Sequence, residues 1–149
     1  MMQGGGVYRA PANLARGLEL SPEVHCQRLP AASCGSRDAL LDALASGLAF
    51  PDHFGHNWDA AWDCMTELTW NDDKPRIILC PLVDESADSG LDNEVLPAPM
   101  AAFLEVMGDA CAHWSAHERT LYVIIVHQDG RVPTWLSTIE PFPGHQVLA

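Results

Sequence analysis

Two short runs decide what this chain can fold into: Ile77-Ile78-Leu79-Cys80, and Leu-Tyr-Val-Ile-Ile-Val at 121–126. An uninterrupted apolar run of strand length fits a strand buried on both faces, and such strands belong to parallel sheets covered by helices. The stretches between them follow the helical period instead. Ser36 is a good N-cap for a helix with Leu40, Leu41, Leu44 and Leu48 on one face. Phe50-Pro51 ends it, because the residue before proline is pushed out of the α region. Asn57 caps a second helix running to about Leu68, and Pro99 stands at the start of a third over 99–112, with Phe103, Leu104, Val106 and Met107 apolar. Strands alternating with helices predict an α/β fold, a small parallel sheet with helices packed over it. Around this frame the sequence predicts a short strand at 7–9, a short helix at 12–20, and strands at 24–29 and 76–82. The stretch 84–97 reads as an acidic loop, Asp129-Gly130 as a turn, and 131–149 as a proline-punctuated tail.

Charge narrows the classes of function. The chain has 20 Asp and Glu against 8 Lys and Arg, a formal charge of −12. Binding nucleic acid or an anionic membrane surface needs clustered Lys and Arg, so neither partner is expected. A hydrophobic fraction of 48% is too high for a disordered acidic chain. The acid is also unevenly placed: from Asp38 to Asp109 there are 15 acids and 2 bases, a net of −13. Such a field suits a basic partner as well as it suits solubility. The five cysteines are odd in number and scattered, which reads as reduced thiols. Gly4-Gly5-Gly6 stands where a signal peptide needs an apolar core, and no apolar run is long enough for a bilayer. A soluble, cytoplasmic protein is the expectation.

The most informative segment is 50–68. Projected at 100° per residue, Ala61, Met65 and Leu68 fall within about 80° of Trp58 and form a core stripe. Asp59, Asp63 and Thr66 share another face, with Trp62 at its edge. The helix dipole stabilises Asp59 in the first turn, while Asp63 has no basic residue one turn away on either side. A solvated acidic face is one reading of this ridge. A glycosidase would need a cleft between its carboxylates, which neighbours on one exposed helix do not make. His53 and His56, with Asp59, Asp63 and Cys64, resemble a metal site only in composition, since no ligand spacing supports it. There is no P-loop, GxGxxG or GxSxG, and Cys64 has no evident base. The expectation is no catalytic residue, no cofactor and no metal.

The run Phe50-Pro51-Asp52-His53-Phe54-Gly55-His56-Asn57-Trp58-Asp59-Ala60-Ala61-Trp62-Asp63-Cys64-Met65-Thr66 closely resembles the signature of the barstar family of ribonuclease inhibitors. That signature is an apolar residue then Pro, an acid, two aromatics and Gly, followed by Asn-x-Asp-Ala-x-Trp-Asp-Cys-Leu-Thr. The resemblance covers roughly 24–126. It implies a small three-stranded parallel sheet flanked by helices, with 1–22 as an N-terminal extension, 23–130 as the barstar-like domain and 131–149 as a C-terminal extension. It also implies a protein that is not an enzyme. Such a protein plugs the active site of a basic bacterial ribonuclease, or secreted toxin domain, with an acidic helix and the loop before it.

Carried over by position, Asp63 enters the pocket that holds substrate phosphate, where Arg and Lys meet a carboxylate through charge-assisted hydrogen bonds. Asp59 is a second contact, with Trp62 and Thr66 beside it. Gly55 and Asn57 shape the loop that carries His53 and Phe54, and Asp109 matches an acidic position in the later helix. This chain departs from the family at His53, where a stacking tyrosine is frequent, at His56, often acidic, and at Glu67, where glycine is the comparison. A protonated His53 near basic groups opposes binding, so affinity should fall as pH drops through about 6.5. Two classes of function follow: a ribonuclease inhibitor or bacterial immunity protein of toxin–antitoxin type, and a regulatory or immunity module whose partner is not a ribonuclease.

Overall fold

The computed structural model describes residues 5–33, 35–50, 55, 57–70, 74–81, 96–127, 132 and 134–142. In chain order the elements are β1 (Gly5–Pro11), α1 (Ala12–Leu20), β2 (His25–Arg28), α2 (Arg37–Gly47), α3 (Trp58–Met65), β3 (Arg76–Pro81), α4 (Ala98–Ala116) and β4 (Leu121–His127), followed by a 3-10 turn at Leu136–Thr138. The strands form one sheet in the order β1-β4-β3-β2, with every pairing parallel. The two apolar runs are the two central strands, as continuous burial requires. Every residue from Ile77 to Cys80 and from Leu121 to Val126 is buried, whereas β1 and β2 at the edges are mostly half-buried or exposed.

The expectation of three strands needs correction, because among the described residues the sheet has four. The additional strand is β1, paired with β4 along its whole length from Gly5↔Leu121 to Pro11↔His127. Gly5 opens it at φ 104°, and a Cβ there would run into the Leu121 carbonyl, so only glycine fits this start.

Alternation along the central strands builds two cores. Ile78, Cys80, Leu121, Val123 and Ile125 point to the face covered by α2, α3 and α4, where Leu40, Leu41, Leu44, Met65, Phe103 and Met107 meet them. Ile77, Leu79, Tyr122, Ile124 and Val126 point to the other face, against Ala15 and Leu18 of α1. The segment 134–142 wraps the β1 edge. Trp135 and Leu136 are buried in the first core and Phe142 in the second. Between them Arg9 N donates to the Glu140 carbonyl at 3.0 Å, and Phe142 N donates to the Arg9 carbonyl at 2.8 Å. This pairing covers the outer edge of β1 at Arg9. Phe142 then packs edge-on against Tyr8 and Tyr122.

Two helices differ in length from the sequence expectation. α3 ends at Met65 rather than near Leu68, and α4 runs to Ala116 rather than Ala112. The acidic stretch 84–95, the Asp129-Gly130 turn and residues 143–149 lie outside the described residues. Among the described residues no helix is long and apolar enough to cross a membrane.

Candidate protein-binding site

Local chemistry starts α3 where the sequence says it should. The Asn57 side chain accepts from Ala60 N at 2.8 Å, and its Nδ2 donates back to the Gly55 carbonyl at 3.2 Å. One residue thus caps the helix and fastens the loop before it. Gly55 lies so close to this cap that a Cβ there would sit 3.2 Å from Asn57 Nδ2 and 3.3 Å from Ala60 Cβ. His53, Phe54 and His56 lie outside the described residues.

The helix presents the two faces read from the projection. Ala61 and Met65 are fully buried, and Trp58 stacks edge-on against Phe103 of α4, with ring centroids 6.3 Å apart. Asp59, Asp63 and Glu67 are exposed on the opposite side, and Trp62 and Thr66 are half-buried beside them. Thr66 Oγ1 donates to the Asp63 carbonyl at 2.9 Å, so its hydroxyl serves the helix end. Asp109 is exposed on α4, one turn before His113 and therefore on the flank that meets α3. Among the described residues none of these four carboxylates has an ion-pair partner. The acid is presented to solvent with its acceptor oxygens available, the state in which a guanidinium or ammonium group binds best.

What holds the ridge in place comes from α4, and the sequence reading missed it. α3 runs alongside α4 in the same direction, with Trp58 at its start near Phe103 and Met65 at its end near Trp114. Trp114 Nε1 donates to the Met65 carbonyl at 2.8 Å, satisfying one of the carbonyls a helix end leaves open. His113 packs edge-on against Trp62, with centroids 5.8 Å apart. Trp114 in turn rests on Trp70 at 5.3 Å, and the guanidinium groups of Arg76 and Arg119 lie 5.7 and 5.6 Å from the Trp70 ring centroid. Arg76 also donates to Gln27 Oε1 and to the Thr69 carbonyl, tying the exit of α3 to the sheet. The available signal was a Trp two residues past the expected end of the third helix.

Burial pushes the Cys64 thiol up, and Glu67 and Asp63 add to the shift. Cys26 is pushed up to about 11 and Cys111 to about 12, both chiefly by burial, and burial raises Cys80 as well. A raised pKa lowers the thiolate fraction of these thiols at neutral pH, and with it their nucleophilicity. Among the described residues no group of three or more His, Cys, Asp or Glu is arranged to hold a metal ion.

Fold and ridge together define a small parallel α/β protein that displays carboxylates on a helix braced from behind. Residues 24–126 match the family model described as Barstar (barnase inhibitor), and the chain belongs to that family. No curated protein matches it significantly. Family members are inhibitors rather than enzymes. The matched span contains β2, α2, α3, β3, α4 and most of β4. β1 and α1 precede it, and the 134–142 segment follows it.

Proposed function

We propose that this protein inhibits a basic bacterial ribonuclease, or a ribonuclease toxin domain, by occlusion. Asp63 enters the cationic pocket that otherwise holds substrate phosphate, and Asp59 contacts a neighbouring basic group. Trp62 and Thr66 flank them, with Glu67 and Asp109 adding acid at the margin. The loop carrying His53, Phe54, Gly55 and Asn57 covers the rest of the active site. The observation that carries this reading is the pair Asp59 and Asp63, exposed and, among the described residues, without ion-pair partners, on a helix whose far end Trp114 fixes. In a chain of the barstar family, that arrangement supports binding to a basic enzyme. A pre-positioned ridge loses little freedom on binding, and the net charge of −12 speeds encounter with a cationic partner. In this reading the protein works in the cytoplasm as the immunity partner of the toxin.

The test is capture of the natural partner from native lysate, followed by an RNA-cleavage assay on the captured protein. One equivalent of this chain should abolish cleavage. A captured partner of basic character that cleaves no RNA contradicts the ribonuclease reading and favours a regulatory module on the same ridge.

A further inference from the structure

The last turn of α4 carries a pair of side chains that the acidic ridge leaves unused. His113 and His117 lie four residues apart on one helical face, with ring centroids 4.5 Å apart. A divalent transition-metal ion holds each imidazole nitrogen at about 2.0–2.1 Å, and two adjacent imidazoles on one ion then have ring centres roughly 4.5–5 Å apart. The two rings already stand at that spacing.

Three further features favour a cation here. His117 Nδ1 lies 2.8 Å from the His113 carbonyl oxygen, which only accepts, so in the neutral ring Nδ1 carries the proton and Nε2 keeps its lone pair. A histidine that donates its other N–H to a backbone carbonyl is oriented as metal-ligating histidines usually are. His113 is half-buried and wedged edge-on between Trp62, at 5.8 Å, and Trp114, at 5.0 Å, which restrains its ring before any ion binds. Finally, His113 lies in the last turn of α4 and His117 at its C-cap, where the partial negative charge of the terminal carbonyls favours a cation.

We propose that His113 and His117 form a two-nitrogen site for a borderline divalent ion, with copper(II) bound more tightly than nickel(II) or zinc, following the general order for nitrogen ligands. Among the described residues no third ligand completes a set, so solvent fills the remaining positions and the ion stays exchangeable. This departs from the sequence expectation of no metal, which weighed only the His53 and His56 loop. A His-x-x-x-His spacing has meaning only within a helix, and the expected helix stopped at Ala112, one residue short of the first histidine.

The site is independent of the ribonuclease reading and is tested on the free protein with copper(II) alone. Titration should load one equivalent, give nitrogen hyperfine structure in the EPR spectrum, and quench the fluorescence of the indoles beside His113. His113→Gln and His117→Gln should each lose at least tenfold in affinity with unchanged circular dichroism, and His53→Gln/His56→Gln should bind like wild type. His117 is exposed, so its variant tests the site without touching the core. Retention of the full equivalent in His117→Gln, or its loss in the His53/His56 variant, overturns the proposal.

Discussion

α2 and α3 lie on the same face of the sheet, and both start from a side-chain cap, Ser36 on Ala39 N and Asn57 on Ala60 N. Both carry acid in the first turn, Asp38 and Asp59. They differ in what holds them and in what their acids do. α2 buries Leu40, Leu41, Ala43 and Leu44, and Asp38 pairs with its neighbour Arg37 at 3.2 Å. α3 buries only Ala61 and Met65 and takes the rest of its hold from Phe103, His113 and Trp114 of α4. Among the described residues its acids have no ion-pair partner. A helix that only folds is secured by its own aliphatic stripe. α3, which we propose also binds, gives up part of that stripe to acid and indole, and α4 makes good the difference.

That contrast can be broken by mutation. The largest effect should come from α2: Leu44→Ala removes a fully buried side chain and should lower unfolding free energy by about 2–5 kcal/mol in denaturant titrations. Partner affinity of the remaining folded protein should be unchanged, and weakened binding would show that α2 does more than fold. Next, Trp114→Phe keeps a ring against Trp70 and removes the donor to the Met65 carbonyl. It should cost about 0.5–1.5 kcal/mol in stability and weaken partner binding as well. An unaltered melting curve would mean that the hydrogen bond does not brace α3. The two caps form a matched pair. Ser36→Ala and Asn57→Ala should each cost about 1 kcal/mol, but only Asn57→Ala should slow inhibition, because it also frees the loop at Gly55. The smallest effect concerns Cys64. Its raised pKa means that removing nearby negative charge should lower it and enlarge the thiolate fraction, so Asp63→Asn and Glu67→Gln should modestly speed alkylation followed by peptide mapping.

The central strands and the two faces of α3 were legible in the sequence because each follows from a period: continuous apolarity for β3 and β4, and the 3.6-residue repeat for α3. The elements that escaped lack a local signal. β1, with the sequence Gly-Gly-Val-Tyr-Arg-Ala-Pro, looks like a fragment of strand, and its full length comes from pairing with β4 and with 140–142. The end of α3 at Met65 depends on a donor 49 residues away, Trp114. The last turn of α4, Ala-His-Trp-Ser-Ala, has no aliphatic repeat, yet its histidine and tryptophan hold the candidate site together. Trp135, Leu136 and Phe142 are single apolar residues in an irregular tail, and only the finished sheet shows which core each one fills.

The most direct test of the account is a paired measurement on Asp63→Ala and Asp38→Ala: dissociation kinetics from the captured partner, alongside thermal melts of the free proteins. Both variants should melt within about 0.5 kcal/mol of wild type, since both carboxylates are exposed. Asp63→Ala should lose about 2–5 kcal/mol of binding, mainly through faster dissociation, because it leaves a desolvated cationic pocket unpaired, whereas Asp38→Ala should dissociate like wild type. If Asp63→Ala leaves the partner no faster than wild type, or melts far below it, the ridge of α3 is not a binding surface and the contrast between the two helices fails.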